Sequence, residues 1–122
     1  MDFNPMMPIW LQVVTAIKHD LVCGIIQPGS KLPGGRDLAV KYSINPNTAA
    51  RVYQELEKEG ICETRRGLGT FATGDPDRIE SLRRTMARDA ITGFLREMEQ
   101  LGYSHAESLA LLTEEENAHA GE

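Results

Sequence analysis

Two cysteines and one tryptophan are little for a chain of 122 residues, and each scarcity excludes something. Cys23 and Cys62 belong to no C-x-x-C pair and neither has a paired histidine, so neither a zinc module nor a disulfide framework is expected. His19, His105 and His119 are far apart, without ligand spacing, and no metal is expected. No Ser-His-Asp or Cys-His grouping is legible, so the reading is of a chain without catalytic residues, without a cofactor and without enzyme activity. Gly24-Ile25-Ile26-Gln27-Pro28-Gly29-Ser30-Lys31 is one exchange away from a phosphate-binding loop. Its last two residues are reversed, however, and no strand leads into it. No apolar run approaches the roughly 18 residues of a membrane helix. The first residues, MDFNPMMP, carry an acid and two prolines where a signal peptide carries basic residues and an apolar stretch. A cytoplasmic protein without membrane contact is expected.

What is present is a chain that is 41% apolar and 25% charged, enough for a modest core. Basic residues are outnumbered 13 to 18, giving a net charge of −5, which speaks against nucleic acid as a partner. The charge is unevenly spread. Up to Gly74 there are eight basic residues against seven acidic ones; from Asp75 onward there are five arginines against eleven acids. Thr73-Gly74-Asp75-Pro76 is also where the turn signals stop, because no proline follows Pro76. Two regions are therefore expected, 1–74 and 75–122, with different tasks.

In the first region, Ile9, Val13, Ile17 and Leu21, with Val14 and Ile25 beside them, repeat at helical spacing. They predict a helix over about residues 8 to 24, with Pro8 as its first residue. Gln27-Pro28-Gly29-Ser30 breaks the pattern, and Lys31-Leu32-Pro33 reads as extended. A short helix carrying Leu38, Ala39 and Tyr42 starts at Gly34 or Gly35. Asn45 as N-cap and Pro46 as first residue open a third helix with Ala49, Val52, Tyr53 and Leu56 on its buried face, and Gly60 closes it. Residues 61–64 and 70–73 alternate in polarity around Arg65-Arg66-Gly67-Leu68-Gly69, which predicts a hairpin. The fold class is mainly α with a small β-hairpin wing: an N-terminal winged helix-turn-helix followed by a short C-terminal α-helical dimerisation region.

The third helix carries the chemistry. Asn45-Pro46-Asn47-Thr48 places short polar side chains in a first turn whose N–H groups attract phosphate, and Arg51 follows one turn later. Arg36, at the start of the second helix, could reach a phosphate or a base edge beside it. Arg65 and Arg66 set two guanidinium groups on a hairpin tip whose Gly67 and Gly69 allow close approach to a groove. Each feature alone fits an ordinary solvated surface; three basic clusters in one module point to DNA.

Residues 8 to 73 resemble the DNA-binding domain of the GntR family of bacterial transcription regulators. The likeness rests on Pro8-Ile9-Trp10-Leu11-Gln12, Gln27-Pro28-Gly29-Ser30-Lys31-Leu32-Pro33, Arg36-Asp37-Leu38-Ala39, Asn45-Pro46-Asn47-Thr48, Tyr53-Gln54-Glu55-Leu56-Glu57-Lys58-Glu59-Gly60 and Arg66-Gly67-Leu68-Gly69-Thr70-Phe71. The short helical remainder is most similar to the YtrA subfamily. The resemblance implies DNA contacts at Arg36, Asn47, Thr48, Arg51, Arg66, Gly67 and Gly69. It also implies a homodimer assembled through the C-terminal helices and repression of an operon, often one encoding an ABC-type transporter. The sequence departs from the family in carrying Gly34 where a serine usually caps the second helix, a change worth a few tenths of a kcal/mol. Ala50 stands where many relatives have arginine, so their base preference is not carried over.

Beyond Pro76, the residues Ile79, Leu82, Met86, Ala90, Phe94, Met98 and Leu101 form a stripe that Ile91 and Leu95 widen. A helix of about 25 residues with so broad an apolar face needs a large surface to pack on, and a second copy supplies it. Ser104-His105-Ala106-Glu107 reads as a capping box for a last helix with Leu109, Leu111 and Leu112. The expectation is a homodimeric regulator of transcription, acting as a repressor on a palindromic double-stranded operator. The competing reading is a winged-helix protein-interaction module that binds no DNA. Nothing in the sequence identifies a small-molecule effector.

Overall fold

The computed structural model describes residues 2–120. Seven elements follow one another: α1 (Ile9–Val22), α2 (Gly35–Tyr42), α3 (Pro46–Lys58), β1 (Cys62–Arg65), β2 (Gly69–Ala72), α4 (Pro76–Gln100) and α5 (His105–His119). They form two compact units, one ending at Arg83 and the other beginning at Arg84. The first turns of α4 therefore belong to the N-terminal unit, where Ile79 and Leu82 pack on its core.

That core is built from the faces that helical spacing selects. Val13, Val14, Ile17 and Leu21 of α1 are buried against Leu38, Ala39 and Tyr42 of α2 and Ala49, Val52, Tyr53 and Leu56 of α3. Leu32, Ile61, Cys62 and Ala72 complete it. Two expectations for α1 fail. Pro8 stands outside the helix as its N-cap, with an extended ψ of 138°. Ile25 is 71% exposed, because Gly24 adopts φ +86° and the chain reverses so that the Ile26 N–H reaches the Asp20 carbonyl; Ile26 turns inward instead.

The helix ends follow local chemistry. Gly34 caps α2 without a side-chain bond, and Ser43 leaves it in the left-handed region at φ 54°. Asn45 caps α3 and Pro46 is its first residue, as expected. At the far end of α3 the Gly60 N–H bonds the Glu57 carbonyl and the Ile61 N–H bonds the Leu56 carbonyl, with Gly60 at φ +74°. This is a Schellman closure, and buried Ile61 sits in the hydrophobic position that accompanies it.

β1 and β2 pair antiparallel, Cys62 opposite Ala72 and Arg65 opposite Gly69. The Pro28–Pro33 connection adds a third, short rung: Lys31 bridges Phe71, the Leu32 N–H donates to the Thr70 carbonyl and the Ala72 N–H donates to the Ser30 carbonyl. The wing is thereby tied back to the segment that precedes α2.

In the C-terminal unit α4 closes on Gly102 (φ +92°) with the same double carbonyl pattern, the Gly102 N–H to Glu99 and the Tyr103 N–H to Met98. α5 opens on the expected capping box, in which Ser104 and Glu107 exchange side-chain-to-backbone bonds. His105 Nε2 meets Glu99 Oε1 at 2.6 Å. No residue of α4 is fully buried. Ile91 is 58% exposed and Leu101 71% exposed.

Candidate nucleic-acid interface

The N-terminus of α3 is shaped by Asn45 and Pro46. The Asn45 side chain accepts the Asn47 N–H at 2.7 Å, and Pro46 has no N–H to satisfy. The first turn thus exposes the Asn47 side chain, with Thr48 half-buried behind it. Arg51, one turn on, is exposed, and its guanidinium carbon lies 4.1 Å from the centre of the Trp10 ring. Stacking uses the flat face of a guanidinium and leaves its in-plane N–H donors free for a phosphate or a guanine edge. Trp10 is itself half-buried against the core, so the platform is anchored.

Within the N-terminal unit two of the described guanidinium groups stand unengaged. Arg36 at the start of α2 and Arg66 at the wing tip are exposed, and among the described residues neither has an ion-pair partner. Arg65 differs: its Nη2 lies 2.8 Å from Glu63 Oε1 and its guanidinium lies 4.4 Å from the Phe71 ring centre. Part of its charge is already answered within the wing.

Gly67 occupies the third position of the turn closed by the Leu68 N–H and the Arg65 carbonyl, at φ +80°, as a type II turn requires. Gly69 gives room: a Cβ there would lie 2.8 Å from Lys31 Cε. Lys31 is exposed, carries no ion pair among the described residues and runs alongside the wing. Neither Lys31 nor Trp10 is among the DNA contacts that the sequence predicts, because their placement depends on contacts between distant segments.

The remaining candidates divide between the two units. Ile79 and Leu82, expected on the dimer stripe, pack on the N-terminal core. Met86, Leu95 and Met98 are half-buried in the C-terminal unit, while Ala90, Ile91, Phe94 and Leu101 are exposed. The buried groups of the N-terminal unit are chemically quiet. Burial, with the Glu57 charge nearby, pushes the Cys62 thiol up to about 12. Burial likewise raises the Tyr53 hydroxyl, which donates to the Pro33 carbonyl. A cleft of about 450 Å³ under the wing is lined by Glu57, Gly60, Cys62, Glu63, Thr73, Gly74, Asp75 and Arg78, and Arg78 donates from it to the Glu59 carbonyl.

Residues 10–72 match the family described as bacterial regulatory proteins, gntR family. The chain belongs to the GntR family. Its likeness to GntR-type relatives extends beyond the DNA-binding module. It is 39% identical to the HTH-type transcriptional regulator YhcF of Bacillus subtilis, over 88% of this chain and 89% of the relative. It is 38% identical to the HTH-type transcriptional repressor YtrA of the same organism, over 77% of this chain and 68% of that one. Among solved structures, a GntR family transcriptional regulator from Listeria monocytogenes superposes with a TM-score of 0.83 at 37% identity, covering 92% of this chain and 98% of the other. This GntR-family chain is accordingly a DNA-binding transcription regulator, with the winged helix-turn-helix expected from its sequence, and its relatives are regulators, not enzymes. Among the described residues no helix is long and apolar enough to cross a membrane.

Proposed function

We propose that the protein is a cytoplasmic homodimeric repressor that reads a palindromic operator through α3 and the wing. The observation that carries this reading is Arg51, exposed one turn into α3, 4.1 Å over the Trp10 ring and, among the described residues, without an ion-pair partner. In this proposal Arg51 and Asn47 contact base edges, while Thr48 and Arg36 fix the register on phosphates. Arg66 enters the minor groove or follows the backbone, Gly67 and Gly69 let the wing approach closely, and Arg65 contributes less because Glu63 already pairs with it. The C-terminal helices bury Met86, Ala90, Ile91, Phe94, Leu95, Met98 and Leu101 against a second copy. Ile79 and Leu82, expected on the same stripe, tether α4 to the N-terminal core. Half-sites then lie about one helical turn apart, roughly 34–36 Å, or further by the spacing the dimer sets.

Repression is supported by the 38% identity to the repressor YtrA. An operon of the ABC-transporter type is the corresponding target, and transporter genes beside the coding sequence are the first thing to look for. The decisive experiment selects bound duplexes from a random library and titrates the resulting operator. Arg51→Ala is expected to weaken binding by about 1–3 kcal/mol if Arg51 is bidentate to guanine. An unchanged gel-shift midpoint removes Arg51 from the interface.

A further inference from the structure

α1 ends on three side chains of mixed donor type. His19, Asp20 and Cys23 each offer one ligand atom, and these atoms all lie within 4.8 Å of one another. The helix makes the juxtaposition: residues four apart share a face, which puts His19 Nδ1 3.9 Å from Cys23 Sγ. A tetrahedral zinc ion with bonds of about 2.0–2.1 Å to nitrogen and about 2.3 Å to sulfur holds those two atoms about 3.5 Å apart. Small side-chain rotations close the difference.

The surroundings favour a cation. Cys23 is the residue that caps α1 at its C-terminus, where the negative end of the helix dipole lies. No described lysine or arginine forms an ion pair with Asp20, and the neighbouring Lys18 is engaged 2.8 Å from Glu59. The charge that Asp20 brings also faces Tyr42, whose hydroxyl is raised by burial first and by that carboxylate second. His19 and Cys23 are exposed and Asp20 half-buried, so an ion has direct access. A nitrogen, a sulfur and a carboxylate oxygen together select a borderline-soft metal over magnesium or calcium, which prefer oxygen alone. From the sequence no metal is expected, given the distances between histidines and the lack of C-x-x-C; a His-x-x-x-Cys pair on one helical face escapes both tests.

We propose that His19, Asp20 and Cys23 bind a thiophilic divalent cation of the zinc class, with a fourth position left to water. The test uses the full chain with a non-thiol reductant and cobalt(II) as a spectroscopic probe. One equivalent per chain is expected to produce a thiolate-to-cobalt charge-transfer band, and zinc is expected to displace it. Cys23→Ser and His19→Ala should each abolish one-equivalent binding, whereas Cys62→Ser should leave the band unchanged, since that thiol is buried. Zinc should raise the melting temperature of the native chain and leave that of Cys23→Ser where it was. Independently of any variant, zinc should protect Cys23 of the native chain from alkylation, read by mass spectrometry. A native chain without a charge-transfer band, a band that survives Cys23→Ser, half an equivalent shared by two chains, or alkylation of Cys23 unaffected by zinc would each overturn the site.

Discussion

Arg51 and Trp10 come from different helices, and their stacking distance of 4.1 Å sets the direction of the one cation in α3 that sits a turn from its N-terminus. An arginine free to rotate loses side-chain entropy when it docks; one already laid on a ring loses less. Trp10→Ala should therefore lower operator affinity by about two- to fivefold, the equivalent of roughly 0.5–1 kcal/mol for an exposed cation–π contact. Trp10→Phe, which keeps a ring under the guanidinium, should recover most of it, as fluorescence anisotropy on a labelled operator would show. Equal losses for the two variants would mean that packing, not stacking, is what Trp10 supplies. Gly60 poses a different residue-scale question. It sits at φ +74°, and a Cβ there would lie 2.1 Å from Arg78 Nη1, the group that donates to the Glu59 carbonyl. Gly60→Ala should destabilise the fold by about 1–2 kcal/mol from the left-handed backbone alone. Because the new methyl already displaces the guanidinium, adding Arg78→Ala should cost little more in urea unfolding; a fully additive double variant would refute that coupling.

At the scale of the element, α2 and α3 offer a contrast in how a helix begins. Asn45 spends a side-chain oxygen on the Asn47 N–H, whereas Gly34 presents no side chain and α2 relies on the Gly34 carbonyl accepting from Leu38 at 2.8 Å. Asn45→Ala should lower stability by about 1 kcal/mol, while Gly34→Ser should raise it by a few tenths, both read as shifts in the denaturation midpoint. A gain from Gly34→Ser as large as the loss from Asn45→Ala would show that α2 suffers more from its glycine cap than its backbone suggests. These ends were legible in the sequence because capping is decided within four or five residues: Asn45, Pro46, Gly60, Ser104 and Glu107 all stand where their chemistry predicts. The buried face of α3 was legible for the same reason, since Ala49, Val52, Tyr53 and Leu56 are fixed by one period. What lay beyond reach were contacts that only the tertiary path creates. Trp10 under Arg51, Lys31 against β2 and Ile79 on the N-terminal core join segments whose local patterns carry no record of each other. Helical spacing misplaces Ile25, because the turn at Gly24 shifts the inward position by one residue.

For the whole molecule, the net charge of −5 conceals a reader that is slightly basic and a C-terminal region that carries the acidity. DNA binding by such a chain depends on a few placed cations rather than on bulk charge. If Arg36 and Arg66 of each subunit neutralise one phosphate apiece while Arg51 reads a base, a dimer engages about four, and the logarithm of its affinity should fall with the logarithm of salt at a slope of about −4. That slope also reports assembly. Ile91 and Phe94 are exposed on α4, so a charge placed there meets solvent in a single chain but lies within the apolar face that the proposed dimer closes. Ile91→Glu and Phe94→Glu should leave far-UV dichroism unchanged, convert the light-scattering mass to that of one chain and reduce the salt slope to about −2, since each bound chain then releases the counterions of about two phosphates. Operator affinity should fall with it, because the second half-site no longer shares the first one's encounter. A variant that stays dimeric would move the interface off this stripe. One that becomes monomeric yet keeps the full slope would show that two chains still assemble on the operator, whereas a native slope steeper than about −4 would place further cations, Lys31 first among them, on the DNA.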